Sequence, residues 1–160
     1  LADLSDPAHR PWRLFTDAVM GGVSDATATL EEVHGRMALR VRGRVRLENR
    51  GGFIQVALAL GDGGQPLDAS AFRGLRVTVA GTAPGAFLHL RTTDTVPPWA
   101  HYAAPLTLGP AWAEAEVPVG RFVPSGTGAR LDRAGLLRLG VVAGKAAGDV
   151  DVAVARVELY

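Results

Sequence analysis

The chain has 160 residues, 48% hydrophobic and 21% charged, a balance that belongs to globular proteins and excludes general disorder. Lys and Arg total 17 against 16 Asp and Glu, so a net charge of +1 offers no global field for nucleic acid or an acidic membrane. The lack of cysteine excludes disulfides, a thiolate zinc site and a catalytic thiol.

The opening Leu1-Ala-Asp-Leu-Ser-Asp-Pro7 has neither the basic stretch nor the apolar run of a secretory signal. No run in the chain reaches the ~18–20 apolar residues of a transmembrane segment, and a cytoplasmic location is the expectation. Asp6–Arg10 reads as a helical turn capped by its Asp. From Met37 to Leu47 the residues Met37, Leu39, Val41, Val45 and Leu47 share one parity, while Arg40, Arg42, Arg44 and Arg46 share the other. That period of two predicts a strand with one buried and one wet face, interrupted at Gly43. Ile54–Leu60, Leu75–Val79 and Ala86–Leu90 repeat the pattern. Further strands are predicted at His101–Leu108, Trp112–Val117, Leu137–Val142 and Val150–Tyr160, with a second helical turn at Asp132–Leu137. Turns fall at Asn49–Gly52, Gly61–Pro66, Gly81–Gly85, Thr95–Pro98, Gly109-Pro110, Pro124–Gly128 and Ala143–Gly148. The 20 Gly and 10 Pro are spread along the chain and leave no room for long helices. About eight short antiparallel strands over residues 1–160 predict one all-β domain, a sandwich or a barrel. Arg occurs 16 times and Lys once, at Lys145, a bias typical of a GC-rich bacterial genome.

Catalytic signatures are missing. There is no G-x-S-x-G, H-E-x-x-H or phosphate-binding loop, and Gly61-Asp-Gly-Gly64 is a turn. The four serines (Ser5, Ser24, Ser70, Ser125) lack local histidine partners. The four histidines (His9, His34, His89, His101) lie at no metal-ligand spacing, so structural or surface roles are expected. Asp149 and Asp151 could join a loop calcium site, but the oxygen-rich spacing of such a loop is absent. Glu31-Glu32 and Glu114/Glu116 read as solvated faces. No catalytic residue, metal or cofactor is therefore expected. The stripe Arg40, Arg42, Arg44 and Arg46 is the strongest charge feature. It reads as a solvated sheet face, with Glu114 and Glu116 as cross-strand partners, or else as an anion-binding face.

Two Gly-Gly segments carry more information. In Trp12…Asp17-Ala-Val-Met20-Gly21-Gly22-Val-Ser24 and Glu48-Asn49-Arg-Gly51-Gly52-Phe53 the backbone must take positive φ or make a close approach. Asp17, Ser24 and Asn49 are placed to bond backbone groups and lock the two loops together.

The string Asp17-x-Val-Met-Gly-Gly-Val-Ser24, followed by Glu48-Asn-x-Gly-Gly-Phe53, resembles the complex I intermediate-associated protein 30 domain family. Leu88-x-Leu-Arg91, Trp99-x-x-Tyr102, Trp112, Val117-Pro118, Arg121-Phe122-x-Pro124, Leu139-Gly140 and Val157-x-Leu-Tyr160 follow in order, so the resemblance covers nearly the whole chain. The sequence departs from the family at Glu48-Asn49-Arg50, where an Asn-rich stretch is common, and at Pro105, where an aromatic is usual. The resemblance implies a jelly roll of galactose-binding-like type. Mitochondrial members assist assembly of respiratory complex I through protein contacts, and the family has no agreed catalytic residues to carry over.

Similar jelly rolls bind sugars on a concave face or on end loops. His89 and Arg91 share a parity with Phe87, and Trp99 and Tyr102 follow on a loop stiffened by Pro97-Pro98, so these four are the candidate ligand or partner contacts. The resulting expectation is a non-catalytic binding or assembly module whose partner is another protein. The alternative is a carbohydrate-binding module.

Overall fold

The computed structural model describes residues 2–6 and 11–160. The helical turn expected from Asp6 falls on residues 7–10, outside the described residues, as does His9. The strands are β1 (Ala2–Asp3), β2 (Trp12–Thr16), β3 (Asp25–Val33), β4 (Arg36–Val45), β5 (Phe53–Ala59), β6 (Gly74–Thr82), β7 (Ala86–Thr92), β8 (His101–Pro105), β9 (Ala113–Pro118), β10 (Val123–Ser125), β11 (Leu136–Gly144) and β12 (Gly148–Leu159). They form two antiparallel six-stranded sheets and no closed barrel. The first runs β3-β4-β12-β6-β9, with β1 also pairing with β12; the second runs β10-β8-β7-β11-β5-β2.

Between the sheets lies a core that the alternating pattern had marked. Leu39, Val41 and Val45 from β4, Val77 and Val79 from β6, and Val152 and Val154 from β12 meet Ile54, Val56 and Leu58 from β5, Leu88 and Leu90 from β7, and Leu139 and Val141 from β11. Each strand thus contributes one parity inward and leaves the other for an outer face. β4 runs through Gly43 without a break, paired with β3 on either side of it, and the glycine allows β3 to pass so close that a Cβ there would meet the Asp25 carbonyl oxygen.

Four of these strands escaped the pattern analysis. β3 alternates small and polar residues, Ala26, Ala28 and Leu30 against Thr27, Thr29 and Glu31, so its hydrophobic contrast is weak. Continuous pairing with β4 from Asp25↔Arg44 to Val33↔Arg36 makes it a strand. β1, β2 and β10 are short edge strands whose identity depends on the neighbours β12, β5 and β8. The strand expected at His101–Leu108 ends at Pro105. The helical turn expected at Asp132–Leu137 is a 3-10 turn at Arg133–Gly135, where the Asp132 carboxylate caps the Ala134 amide at 2.9 Å and β11 begins directly after.

Candidate functional site

The two Gly-Gly segments converge on Asp17, which is fully buried. Its carboxylate accepts from the Ser24 amide at 3.0 Å, the Ser24 hydroxyl at 2.5 Å, the Gly52 amide at 2.5 Å and the Phe53 amide at 3.3 Å. Ser24 Oγ in turn accepts from the Arg46 amide at 2.8 Å, which joins the end of β4 to the same knot. Burial alone would push the Asp17 carboxyl up, but these donors together hold it below the ordinary aspartate value. Space explains two of the glycines: a Cβ on Gly22 would lie 2.4 Å from Asp17 Cγ, and one on Gly51 would lie 2.5 Å from Asp17 Oδ2. Gly21 and Gly52 take φ of +84° and +128°. Asn49 adopts φ +57°, and among the described residues its side chain has no hydrogen-bond partner. It serves the loop by tolerating a left-handed backbone, not by the side-chain bond its residue type suggested. The Trp12 side chain packs against the core, and its Nε1 is buried with no partner. The strongest sequence motif is therefore a polar lock between loops, with Asp17 saturated by protein donors.

The arginine stripe lies on the outer face of the first sheet. Arg40 donates to both oxygens of Asp151 at 2.9 and 2.8 Å and to Glu31 at 3.0 Å. Arg42 also reaches Glu31 at 3.0 Å, and Arg44 reaches Asp149 at 3.1 Å. The partners come from β3 and β12, which flank β4. Glu114 and Glu116 lie on β9, beyond β12 and β6, and Glu116 pairs with Arg76 at 2.8 Å. Arg46 lies past the end of β4, exposed, with only its backbone engaged in the knot.

The outer face of the second sheet is built differently. Phe87, His89 and Arg91 on β7 stand opposite Val142, Gly140 and Arg138 on β11. Arg13 and Phe15 on β2 stand opposite Ala57 and Gln55 on β5. The register places Arg138 directly across from Arg91, with β5 and then β2 on its other side. Arg138 is half-buried; its guanidinium lies 5.4 Å over the Phe15 ring, and Phe15 meets Phe53 edge-on at 6.2 Å. Burial, then the nearby charges of Arg91 and Arg13, pull its pKa down. Lys145 Nζ lies 4.5 Å over the Phe87 ring. Gly140 keeps the centre low, because a Cβ there would strike the Gln55 side-chain amide lying across it. His89 stacks on His101 at 3.9 Å and 12° between planes, and His89 Nε2 is buried without a hydrogen-bond partner. Desolvation, followed by repulsion from His101, Lys145 and Arg138, pushes the His89 pKa down to about 3, so its ring is neutral.

Arg91 also organises the neighbouring loop, donating to the Thr95 carbonyl at 2.6 Å and to the Pro98 carbonyl. Trp99 follows on that loop, 69% exposed, with its ring against Gly126 and its carbonyl 2.8 Å from His101 Nδ1. Of the four contacts expected from sequence, His89, Arg91 and Trp99 come together here. Tyr102 does not: its ring is fully buried in the core, and its hydroxyl donates to the Ala129 carbonyl at 2.9 Å. Pattern reading passed over Arg13, Phe15, Gln55 and Arg138. A usable signal existed, since the strands of this sheet contain no Asp or Glu. Among the described residues no group of three or more His, Asp or Glu could hold a metal ion, and no helix is long and apolar enough to cross a membrane.

This architecture is that of the β-sandwich jelly-roll modules. The chain superimposes on the family 11 carbohydrate-binding module of the Clostridium thermocellum cellulase Lic26A-Cel5E with a TM-score of 0.76 at 14% identity, covering 98% of this chain and 91% of that one. A family 11 carbohydrate-binding module from Clostridium thermocellum in complex with a β-1,3-1,4-mixed-linked tetrasaccharide matches with a TM-score of 0.76 at 12% identity, over 99% of this chain and 92% of that one. A family 30 carbohydrate-binding module matches with a TM-score of 0.60 at 15% identity, over 87% and 74%. No curated protein matches the chain. Residues 3–144 match the model of the complex I intermediate-associated protein 30 family, and the chain belongs to that family.

Proposed function

We propose that residues 1–160 form one non-catalytic binding module that takes a carbohydrate chain across the outer face of its second sheet. The observation that carries this reading is the row Arg13, Arg138 and Arg91. It crosses a shallow surface lined by Gln55, Phe15 and Phe87 and ends beside the exposed Trp99. Arginine forks suit hydroxyl and carboxylate oxygens, and a ring on a stiff loop suits stacking on a sugar at little entropic cost. The similarity of fold to modules described as carbohydrate-binding supports it. Affinity electrophoresis through gels containing polysaccharides tests it: retardation that Trp99→Ala and Arg138→Gln abolish is the expected result. Mobility unchanged in every gel would overturn it.

A second reading, assembly of a protein complex, is favoured by the family's description and by Val19, Val23 and Leu47. These are 71%, 44% and 49% exposed on the two loops that Asp17 joins. Cross-linking in cells to a defined partner, lost when Val19 and Leu47 are replaced by Ser, is the outcome that reading requires.

A further inference from the structure

We infer that the ligand of the second sheet's outer face is an acidic glycan, a chain bearing carboxylate or sulfate groups; this rests on the carbohydrate reading above. The molecule supplies its own contrast. On the first sheet Arg40, Arg42, Arg44 and Arg76 all meet carboxylates. On the second, Arg13, Arg91, Arg138 and Lys145 have no carboxylate partner among the described residues, the six strands contain no Asp or Glu, and Arg91 is held only by the neutral carbonyls of Thr95 and Pro98. With a net charge of only +1, this is segregation of charge between two faces and not a basic protein overall.

The arrangement is unfavourable without a ligand. Arg138 and Arg91 sit directly opposite on adjacent strands, where like charges repel. Arg138 is also half-buried, so the repulsion is screened less than at the open surface. A bound anion relieves both effects, and a guanidinium fork matches the paired oxygens of a carboxylate or sulfate.

Extent and surroundings narrow the class. From β7 through β11 and β5 to β2 the row crosses three inter-strand gaps, about 14 Å at ~4.8 Å each, too long for one small anion. The middle of the row is Gly140 opposite Ala57, with the Gln55 side-chain amide over Gly140, while the rings of Phe87 and Phe15 stand one register step along the strands; a small, polar centre differs from the apolar anchor that forms the middle of a protein interface. A flexible acidic chain with sugar rings fits that relief, and Trp99 stands at its Arg91 end to stack on one ring.

Calorimetry with oligogalacturonate, sulfated carrageenan oligosaccharide, neutral mixed-linked glucan oligosaccharide of equal length and poly-glutamate decides the matter. The acidic glycans bind, the neutral one does not, and raising salt to about 0.5 M weakens binding at least tenfold. Arg13→Gln, at an exposed position where the melting curve stays unchanged, weakens it about tenfold as one charged contact is lost. Preference for carboxylate over sulfate, or the reverse, identifies the anion. Equal binding of the neutral glucan overturns the acidic assignment and leaves the carbohydrate reading standing. Poly-glutamate binding tighter than any glycan, with the same Arg13 dependence, overturns both in favour of an acidic protein. No binding by any probe also overturns both.

Discussion

At the scale of single residues, Asp17 and His89 are both withdrawn from water and resolve that cost in opposite ways. Asp17 remains charged because four donors converge on it, three of them backbone amides that have no other partner when the carboxylate is removed. Asp17→Ala therefore destabilises the protein by about 1–3 kcal/mol, measured by urea unfolding, and Gly22→Ala destabilises it as well because the new methyl group meets the same carboxylate. His89 instead surrenders its charge. The folded pKa, about 3, lies below the ordinary histidine value of 6.5, so below pH ~6.5 the unfolded chain takes up a proton that the folded one refuses. Stability contributed by neutral His89 is fully present above that pH and is lost as pH falls toward 3. Denaturant unfolding between pH 7 and pH 4 shows the decline, and His89→Gln flattens it; an unaltered slope in the variant assigns the decline elsewhere.

At the scale of elements, the outer face of the first sheet is a set of charge ladders fixed by strand order. β4 contributes the arginines, and β3 and β12 on either side contribute Glu31, Asp149 and Asp151. Arg40 lies between both neighbours and bonds both, so its guanidinium is held protonated even more firmly than usual, chiefly by Asp151 and then Glu31. Arg42 and Arg44 each make a single exposed contact. Replacing Arg42 and Arg44 together by Gln leaves the melting temperature nearly unchanged, whereas Arg40→Gln lowers it, by an amount that shrinks in high salt. Differential scanning calorimetry at two salt concentrations separates the two outcomes. Trp112 covers another part of this face, packing on Val33, Ala38 and Ala153 and donating from Nε1 to the Val33 carbonyl at 2.9 Å. It thereby ties the loop before β9 to the far edge strand.

Across the whole molecule, the two sheets share one core and divide the charge between them. Among the described residues the carboxylates that pair with arginine stand on the first sheet, and the strands of the second carry cations, rings and small residues. Either sheet would read as ordinary alone. Only their comparison makes the Arg13–Arg138–Arg91 row, which lacks carboxylate partners among the described residues, conspicuous on a surface that no contiguous motif marks.

Local chemistry determined the all-β class, the central strands, the Asp132 cap and the need for glycine around Asp17, because alternation, turn residues and steric freedom act over a few neighbouring residues. The string around Asp17 likewise sufficed to place the chain in its family. Pairing partners were beyond its reach. Arg40 finds Asp151, 111 residues away in sequence, because β12 lies beside β4. Tyr102 turns inward while His101 turns outward because β8 aligns with β7 in one register and not the next. A shift of one residue exchanges the two faces of a strand, and long-range hydrogen bonding between strands, not any local preference, selects the register. That is why the lock at Asp17 was legible from residue types, while the cationic face became visible only once β2, β5, β11 and β7 stood side by side.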